Sequence, residues 1–265
     1  HIIDQRNNVS HRVSFEEAAY TVQASVNTDF DTDWLRFTYT SLTTPPSVFD
    51  YNMATQEMVL KKEKAVPGGF NKEHYTAEVL WATARDGVRV PISLVYKKGL
   101  QKNGKQPLLL YGYGSYGFTL PVAFNSHIIS LLDRGFVYAI AHVRGGQKLG
   151  RQWYDDGHLL KKKNTFFDFI DCAEFLVREN YTSPDHLYAN GRSAGGSARL
   201  GFSASRVSSS AAEPAAPIAS RAAASQISAS NPPPSRAQAA ASSRAACGSA
   251  ATAAAQSAAE RISAR

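Results

Sequence analysis

The chain has 265 residues, of which 43% are hydrophobic and 19% are charged, enough for one large domain or two small ones. Its two cysteines, Cys172 and Cys247, lie far apart without metal-ligand spacing. This excludes a small disulfide-stapled protein and predicts neither a metal ion nor another cofactor. No apolar run reaches the roughly 18 residues of a membrane span. The chain opens at His1 without a methionine or a signal-peptide pattern, so we expect a fragment of a cytoplasmic protein with no membrane partner.

The net charge of +7 belongs mostly to the last quarter of the chain. Residues 1–196 carry 22 Lys and Arg against 20 Asp and Glu, whereas residues 197–265 carry seven Arg against two Glu. These arginines stand singly among Ala and Ser, with Phe202 as the only aromatic residue of the segment. A nucleic-acid-binding face combines clustered cations with aromatic side chains, so nucleic acid is not an expected partner.

Three short runs of β-forming residues open the region that we expect to fold, at residues 34–40, 47–51 and 58–60. Apolar and polar residues alternate along them, and Pro45-Pro46 separates the first two, so they predict a small antiparallel meander. Such a meander, with turns at roughly ten-residue intervals, is typical of one blade of a β-propeller. Because a lone blade has two open edges, we expect further blades to precede it.

The next region begins with a hairpin and continues with apolar strands that alternate with helices. Residues 78–96 predict the hairpin, with Asp86-Gly87 as its turn. The expected strands are residues 108–111, 136–141 and 187–189, and the expected helices are residues 125–134 and 165–179. Unbroken apolar strands that alternate with helices predict a parallel sheet covered on both faces.

The last predicted strand leads into Gly191-Arg192-Ser193-Ala194-Gly195-Gly196, which fits the pattern G-x-S-x-G. In that pattern a sharp turn between a strand and a helix exposes a serine hydroxyl above a sheet. Gly191 and Gly195 allow backbone segments to approach where a Cβ would collide. A helix beginning near Ala194 would direct its amides at charge developing on a substrate. A plain Gly/Ser turn is the alternative, and the position after a buried strand favours the nucleophile elbow.

The composition changes abruptly at Ser197. Ala and Ser make up 41 of the 69 residues from there to the end, and the segment contains no Asp, His, Lys, Tyr or Trp. It has too little apolar bulk to offset chain entropy, and Pro232-Pro233-Pro234 interrupts any long helix. Two explanations stay open: a genuine linker-like tail, or a sequence read in another frame or inserted from elsewhere. The abruptness favours the second, and we expect residues 200–265 to be disordered or frameshifted.

Taken together, these motifs resemble the prolyl oligopeptidase family of serine peptidases, and most of all its oligopeptidase B (protease II) branch. The segments that carry the resemblance are LRFTYTSLTTPP (35–46), WATARDG (81–87), YGYGSYG (111–117), RGG (144–146), GRQWY (150–154), KKKNT (161–165) and the turn at Ser193. The resemblance implies an α/β fold in which a β-propeller precedes an α/β-hydrolase domain. Residues 1–75 then correspond to the last propeller blades, residues 76–199 to the first half of the catalytic domain, and residues 200–265 to a low-complexity tail.

The resemblance also assigns roles to the residues of the motif. Ser193 matches the nucleophile of an acyl-enzyme mechanism, and the Tyr113 phenol and the Ala194 N–H match the two oxyanion donors. A tyrosine suits this role because its hydroxyl can donate a hydrogen bond without ionising at neutral pH. The implied substrates are short peptides, cleaved after basic residues, and the oligomeric state stays open. We expect Arg144-Gly145-Gly146 to be a structural loop beside the site and Lys161–Lys163 to be a solvated run.

The sequence departs from the family pattern in three places. Residues 120–124, which follow the tyrosine loop, contain no carboxylate, so nothing there carries a preference for a second basic residue. Arg192 stands where glycine is more usual before the nucleophile. Gln147 and Lys148 stand where acidic residues or glycine are more common.

The largest departure concerns the catalytic triad, whose members follow one another as Ser, Asp and His in this fold. All seven histidines precede Ser193, and the last aspartate is Asp185. Without a base the serine hydroxyl stays protonated, and losing triad members costs on the order of 10⁶ in turnover. We therefore expect this chain to be inactive. His142 and His186 lie near the site as substitutes, but each fits a packed or surface histidine better.

Three interpretations of function follow. The first is an oligopeptide-cleaving serine peptidase, represented here by an incomplete chain. The second is a truncated or frameshifted product without enzymatic function. The third, an esterase or lipase, shares the serine turn, but it explains neither the propeller-like meander nor residues 111–117.

Overall fold

The computed structural model describes residues 1–5 and 7–196, so the predictions made for residues 200–265 lie outside the described residues. In chain order the strands are β1 (Ile2–Asp4), β2 (Val9–His11), β3 (Tyr20–Ala24), β4 (Trp34–Ser41), β5 (Ser47–Asn52), β6 (Met58–Glu63), β7 (Tyr75–Thr83), β8 (Arg89–Lys97), β9 (Leu108–Gly112), β10 (Val137–Ala141) and β11 (Leu187–Asn190). The helices are α1 (Ser126–Asp133), α2 (Arg151–Asp155) and α3 (Lys163–Arg178). The helices formed by residues 1–5 and 7–196 include none that could span a membrane.

Strands β3 to β6 form an antiparallel meander in the order β3-β4-β5-β6. The sequence predicted three of these strands, and β3 is the fourth, with Tyr20 opposite Ser41 of β4. β3 was not predicted because it is short and its last three residues are exposed, so it lacks a buried apolar run. Four antiparallel strands are typical of one propeller blade. Phe37, Tyr39 and Tyr51 form the buried apolar core of this sheet, which we call the blade.

The second large sheet is mixed and has the strand order β11-β9-β10-β8-β7. Strands β9, β10 and β11 run parallel, as predicted, whereas β8 runs antiparallel to both β7 and β10. The expected parallel sheet is therefore only part of a larger one. The hairpin of β7 and β8 belongs to this sheet because β8 pairs with β10 along its free edge, with Tyr138 opposite Val95.

Helices α3 and α1 cover opposite faces of the mixed sheet. Side chains alternate between the two faces of a strand, and β10 shows this directly. Its residues Val137 and Ala139 pack in one core with Phe169 of α3, whereas Ile140 packs in another core with Leu132 of α1. The sheet is thus buried on both sides, as the apolar strands predicted.

The blade contacts the mixed sheet through the segment that follows the tyrosine loop. Leu42, in the connection between β4 and β5, packs in the same buried core as Leu120 and Val122. In addition, Thr21 Oγ1 donates a hydrogen bond to the Val122 carbonyl at 3.0 Å. Residues 120–124, which contain no carboxylate, therefore contribute apolar surface to the contact between the two sheets.

Candidate active site

Two loops that carry predicted site residues leave neighbouring strands at the same edge of the mixed sheet. Strands β9 and β11 are adjacent and parallel, with Asn190 opposite Tyr111. Tyr113 follows β9 by one residue, and Ser193 follows β11 by three. Since carboxyl ends of parallel strands meet at one edge, the strand order itself brings the two loops together, although they lie 80 positions apart in the sequence.

The turn at Ser193 has the geometry of a nucleophile elbow. Ser193 has φ of 50°, a left-handed conformation that is uncommon for residues other than glycine. The turn is closed by a hydrogen bond from the Gly195 N–H to the Arg192 carbonyl at 2.9 Å. Residues 193–195 form a short 3-10 turn, and the Ser193 side chain is exposed to solvent. Beyond Gly196, the helix expected to begin near Ala194 lies outside the described residues.

Both glycines of the motif are required by close backbone approaches. A Cβ on Gly191 would collide with the Gly195 carbonyl oxygen. A Cβ on Gly195 would lie 2.8 Å from the Gly112 carbonyl oxygen and 3.0 Å from the Tyr113 Cα. The serine turn and the tyrosine loop are therefore in direct contact, and only a residue without a side chain fits between them.

Tyr113 is half-buried at the start of a glycine-rich loop. Its ring meets the ring of Phe118 edge-on, with centroids 5.6 Å apart. Gly114, the next residue, has φ of 63°, and a Cβ there would lie 2.9 Å from the Arg144 carbonyl oxygen. The loop thus packs tightly on the segment that follows β10.

In that segment, Arg144-Gly145-Gly146, the Arg144 side chain forms a buried ion pair that fixes the loop. The Arg144 guanidinium donates to Asp168 Oδ1 at 2.6 Å and to Asp86 Oδ2 at 2.6 Å, and its backbone N–H donates to Asp168 at 2.9 Å. Burial by itself would lower the pKa of Arg144, but the hydrogen bonds to Asp168 and Asp86 raise it. These contacts fit the structural role expected for the loop.

One expectation about the lysine run was wrong. Lys161 and Lys163 are exposed, and Lys161 forms an ion pair with Asp156 at 2.7 Å. Lys162 is half-buried instead, and its Nζ donates hydrogen bonds to the Gly114 carbonyl and to Ser115 Oγ. The run gave no signal that distinguished Lys162, because its inward direction depends on its position at the start of α3.

Neither of the two histidines considered as substitutes for the catalytic histidine forms a hydrogen bond with Ser193 among the described residues. His142 is buried, and its Nε2 is 2.9 Å from Ser93 Oγ, while its Nδ1 has no partner in the described part of the chain. Burial, with a smaller effect from the nearby Lys148 charge, lowers the pKa of His142 to about 3. His186 is exposed and contacts Ser183 Oγ through Nδ1 at 2.9 Å.

The residues at the remaining departures lie around the site. Arg192 is exposed beside Ser193. Lys148 lines a small cavity together with Tyr113 and His142, and burial lowers the pKa of Lys148. Among the described residues, no group of His, Cys, Asp or Glu side chains is arranged to hold a metal ion.

The blade and part of the mixed sheet lie in regions that match known protein families. The sequence profile of the prolyl oligopeptidase family matches residues 122–205, and that of the prolyl oligopeptidase N-terminal beta-propeller domain matches residues 1–64. The two profiles occur in the order of the blade and the mixed sheet. This chain belongs to the prolyl oligopeptidase family.

Individual relatives point in the same direction. The chain is 48% identical over 188 residues to dipeptidyl aminopeptidase BI of Pseudoxanthomonas mexicana, a match that covers 71% of this chain and 26% of the relative. It is 43% identical over 185 residues to Protease 2 of Moraxella lacunata, covering 70% of this chain and 27% of that protein. The chain thus spans about a quarter of the length of the curated relatives that it matches.

Solved structures also include a prolyl oligopeptidase relative of the predicted branch. Oligopeptidase B from Trypanosoma brucei, in a closed form with covalently bound antipain, matches with a TM-score of 0.66 and 43% identity. The match covers 71% of this chain and 27% of that structure. The predicted combination of propeller blade and hydrolase sheet is confirmed by these comparisons.

Proposed function

We propose that the described part of this chain forms the nucleophile and oxyanion half of a serine peptidase active site. Ser193 is the proposed nucleophile, and the Tyr113 hydroxyl and the Ala194 N–H are the proposed oxyanion donors. Gly191 and Gly195 shape the elbow. The observation that carries the proposal is the direct packing of the Gly195 backbone on Tyr113, which places the serine turn against the loop that bears the phenol.

The proposed reaction is acyl transfer. The Ser193 oxygen attacks the peptide carbonyl carbon, and the carbonyl π electrons move onto oxygen. Hydrogen bonds from Tyr113 and Ala194 stabilise that developing charge. Collapse of the intermediate breaks the C–N bond, releases the amine, and leaves an acyl group on Ser193, which water then removes. Each half-reaction needs a base to accept a proton and an acid to return it.

In the triad order Ser, Asp, His, the base is a histidine that follows the nucleophile, and this sequence has no histidine after Ser193. The sequence after Ser193 contains neither His nor Asp, and in the described residues no histidine hydrogen-bonds to Ser193. We therefore propose that the chain does not turn over peptides by itself, since lost triad members reduce turnover by on the order of 10⁶. A truncated or frameshifted product without enzymatic function is the second candidate, favoured by the same absence.

The proposed substrates are oligopeptides, because the named relatives are peptidases. Cleavage after basic residues is proposed from the similarity to oligopeptidase B. A cytoplasmic location remains a prediction of the sequence.

The test is labelling of the purified chain with a serine-reactive fluorophosphonate, with and without imidazole as an external base. We expect slow labelling that imidazole accelerates, that mass spectrometry locates on Ser193, and that Ser193→Ala abolishes. Tyr113→Phe should slow it by roughly a hundredfold to a thousandfold, as loss of one oxyanion donor does. Hydrolysis of a fluorogenic oligopeptide, measured in parallel, should be absent.

Two results would contradict the proposal. Equal labelling of the wild-type chain and of Ser193→Ala would remove Ser193 as the nucleophile. Peptide hydrolysis that disappears in Ser193→Ala would show a complete active site in this chain and overturn the proposed inactivity.

A further inference from the structure

The Lys162 side chain crosses from the start of α3 to the loop that carries Tyr113. Its Nζ donates hydrogen bonds to the Gly114 carbonyl oxygen, to Ser115 Oγ at 2.7 Å and to Thr165 Oγ1 at 3.4 Å. These three neutral acceptors match the three N–H donors of an ammonium group. Lys162 takes part in none of the ion pairs found among the described residues, and besides these acceptors its Nζ lies over the Phe166 ring, 5.9 Å from the ring centroid.

The atoms that Lys162 holds lie immediately after Tyr113. Gly114 has φ of 63°, and its close approach to Arg144 leaves its peptide group little freedom to turn. Lys162 adds a charged donor to the Gly114 carbonyl, which fixes the plane of the peptide between Gly114 and Ser115, the second peptide after Tyr113. A charge-assisted hydrogen bond is roughly twice as strong as a neutral one, so this contact outweighs an ordinary loop hydrogen bond.

Thr165 connects the same network to the segment that follows β10. Its Oγ1 donates to the Arg144 carbonyl at 2.7 Å, and it lies on the first turn of α3, three residues after Lys162. Gly145 packs so closely that a Cβ would lie 2.9 Å from Thr165 Oγ1. The start of α3 therefore ties the tyrosine loop and the arginine loop to one another.

We propose that Lys162 is a positioning residue for the oxyanion site, which fixes the direction of the Tyr113 phenol through the Gly114 carbonyl and the Ser115 hydroxyl. The proposal rests on the proposed function of Tyr113 as an oxyanion donor. Lys162 itself does not touch the reacting atoms. Its exposed neighbour Lys163 has the same side chain on the same helix end and provides a matched control.

The first measurement is amide hydrogen exchange of the full chain and does not depend on catalysis. The Gly117 N–H donates to the Gly145 carbonyl and the Phe118 N–H donates to the Ser115 carbonyl, both at 3.0 Å. Lys162→Met should speed exchange of these two amides at least tenfold, Lys162→Arg should recover most of the protection, and Lys163→Met should change neither. Ser115→Ala, a milder variant, should speed exchange about threefold. Wild-type exchange in Lys162→Met and Ser115→Ala would overturn the proposal.

The second measurement is a double-mutant cycle on the fluorophosphonate labelling rate with imidazole present. If Lys162 acts through the phenol, Lys162→Met slows labelling of the wild-type chain but leaves the rate of Tyr113→Phe unchanged. If instead the rate reduction in Lys162→Met/Tyr113→Phe equals the product of the two single reductions, Lys162 acts independently of Tyr113. That result would overturn the positioning role. Absence of labelling in the wild-type chain would count against the proposed nucleophile alone, since the exchange measurement still decides the role of Lys162.

Discussion

The blade and the mixed sheet each enclose a carboxylate, and they satisfy it with different partners. Against the blade, Glu17 precedes β3, is half-buried and accepts hydrogen bonds from four hydroxyl groups, including Ser41 at 2.6 Å and Thr44 at 2.9 Å. Against the mixed sheet, the Asp168 side chain of α3 is completely buried and is bound by the guanidinium of Arg144.

The difference lies in how easily the partners can be replaced. A hydroxyl rotates and finds another acceptor or water, whereas a buried carboxylate that loses its cation keeps a charge that no other cation balances. The mixed sheet, which carries the candidate site, therefore depends on an ion pair whose cation cannot be replaced. The blade depends on hydrogen bonds from hydroxyl groups that can rotate. Three substitutions test this contrast, and their expected effects on the free energy of unfolding decrease in the order given.

The largest effect is expected at Arg144. Arg144→Met leaves Asp168 buried without its cation, which should lower the free energy of unfolding by about 3–5 kcal/mol in a urea titration. Arg151→Met, which removes an exposed arginine paired with Asp155, is the control and should cost less than about 0.5 kcal/mol. Arg144→Met/Asp168→Leu should recover much of the loss, because an apolar pair replaces an unpaired charge.

An intermediate effect is expected at the serine turn. Gly195→Ala introduces a Cβ 2.8 Å from a backbone oxygen and should cost about 1–3 kcal/mol through overpacking. It should also reduce fluorophosphonate labelling, because the turn must move away from Tyr113. Gly196→Ala is the matched control, since its Cβ would lie 3.9 Å from the nearest atom outside its chain neighbours. Equal stability of the two variants would contradict the close approach.

The smallest effect is expected at Glu17. Glu17→Gln keeps one acceptor oxygen and the hydroxyls can rotate, so the cost at pH 7 should be about 1 kcal/mol. If Glu17→Gln lowered the free energy of unfolding as much as Arg144→Met does, the contrast between the two regions would be wrong.

The pH dependence of stability gives a separate test of the Glu17 carboxylate. Burial by itself raises the pKa of Glu17, but the hydrogen bonds from Ser41, Thr43, Tyr39 and Thr44 outweigh it and lower the pKa. The folded state then binds fewer protons than the unfolded state near pH 4. The contribution of Glu17 is therefore present above its unfolded pKa and is lost as the pH falls through its folded pKa. In urea titrations from pH 7 to 3, the difference in the free energy of unfolding between wild type and Glu17→Gln should become smaller.

Much of the candidate site was accessible to prediction from local patterns. The serine turn is a contiguous motif whose glycines have a steric reason, and the strand before it is a short apolar run. The expected strand at residues 187–189 is found at Leu187–Asn190. The fourth blade strand was missed because its residues are mostly exposed and carry no burial pattern.

The support of Tyr113 was not accessible in the same way. Lys162, Thr165, Asp168 and Asp86 come from segments far from residue 113 in the sequence, and none carries a local signal of its role. Lys162 was placed in a solvated run because its neighbours are lysines. Its inward direction follows only from where α3 begins relative to the tyrosine loop.

The sequence by itself determined β4 to β11 in outline, helices α1 and α3, the order of the two sheets, the family and the lack of a histidine after Ser193. These features depend on short-range periodicity, turn chemistry and composition, which are written in consecutive residues. Only the tertiary structure decided that the hairpin joins the parallel strands, that the serine turn packs on Tyr113, and that Lys162 turns inward. Those contacts join residues that are distant along the chain, and they arise from strand pairing and close packing that no single segment encodes.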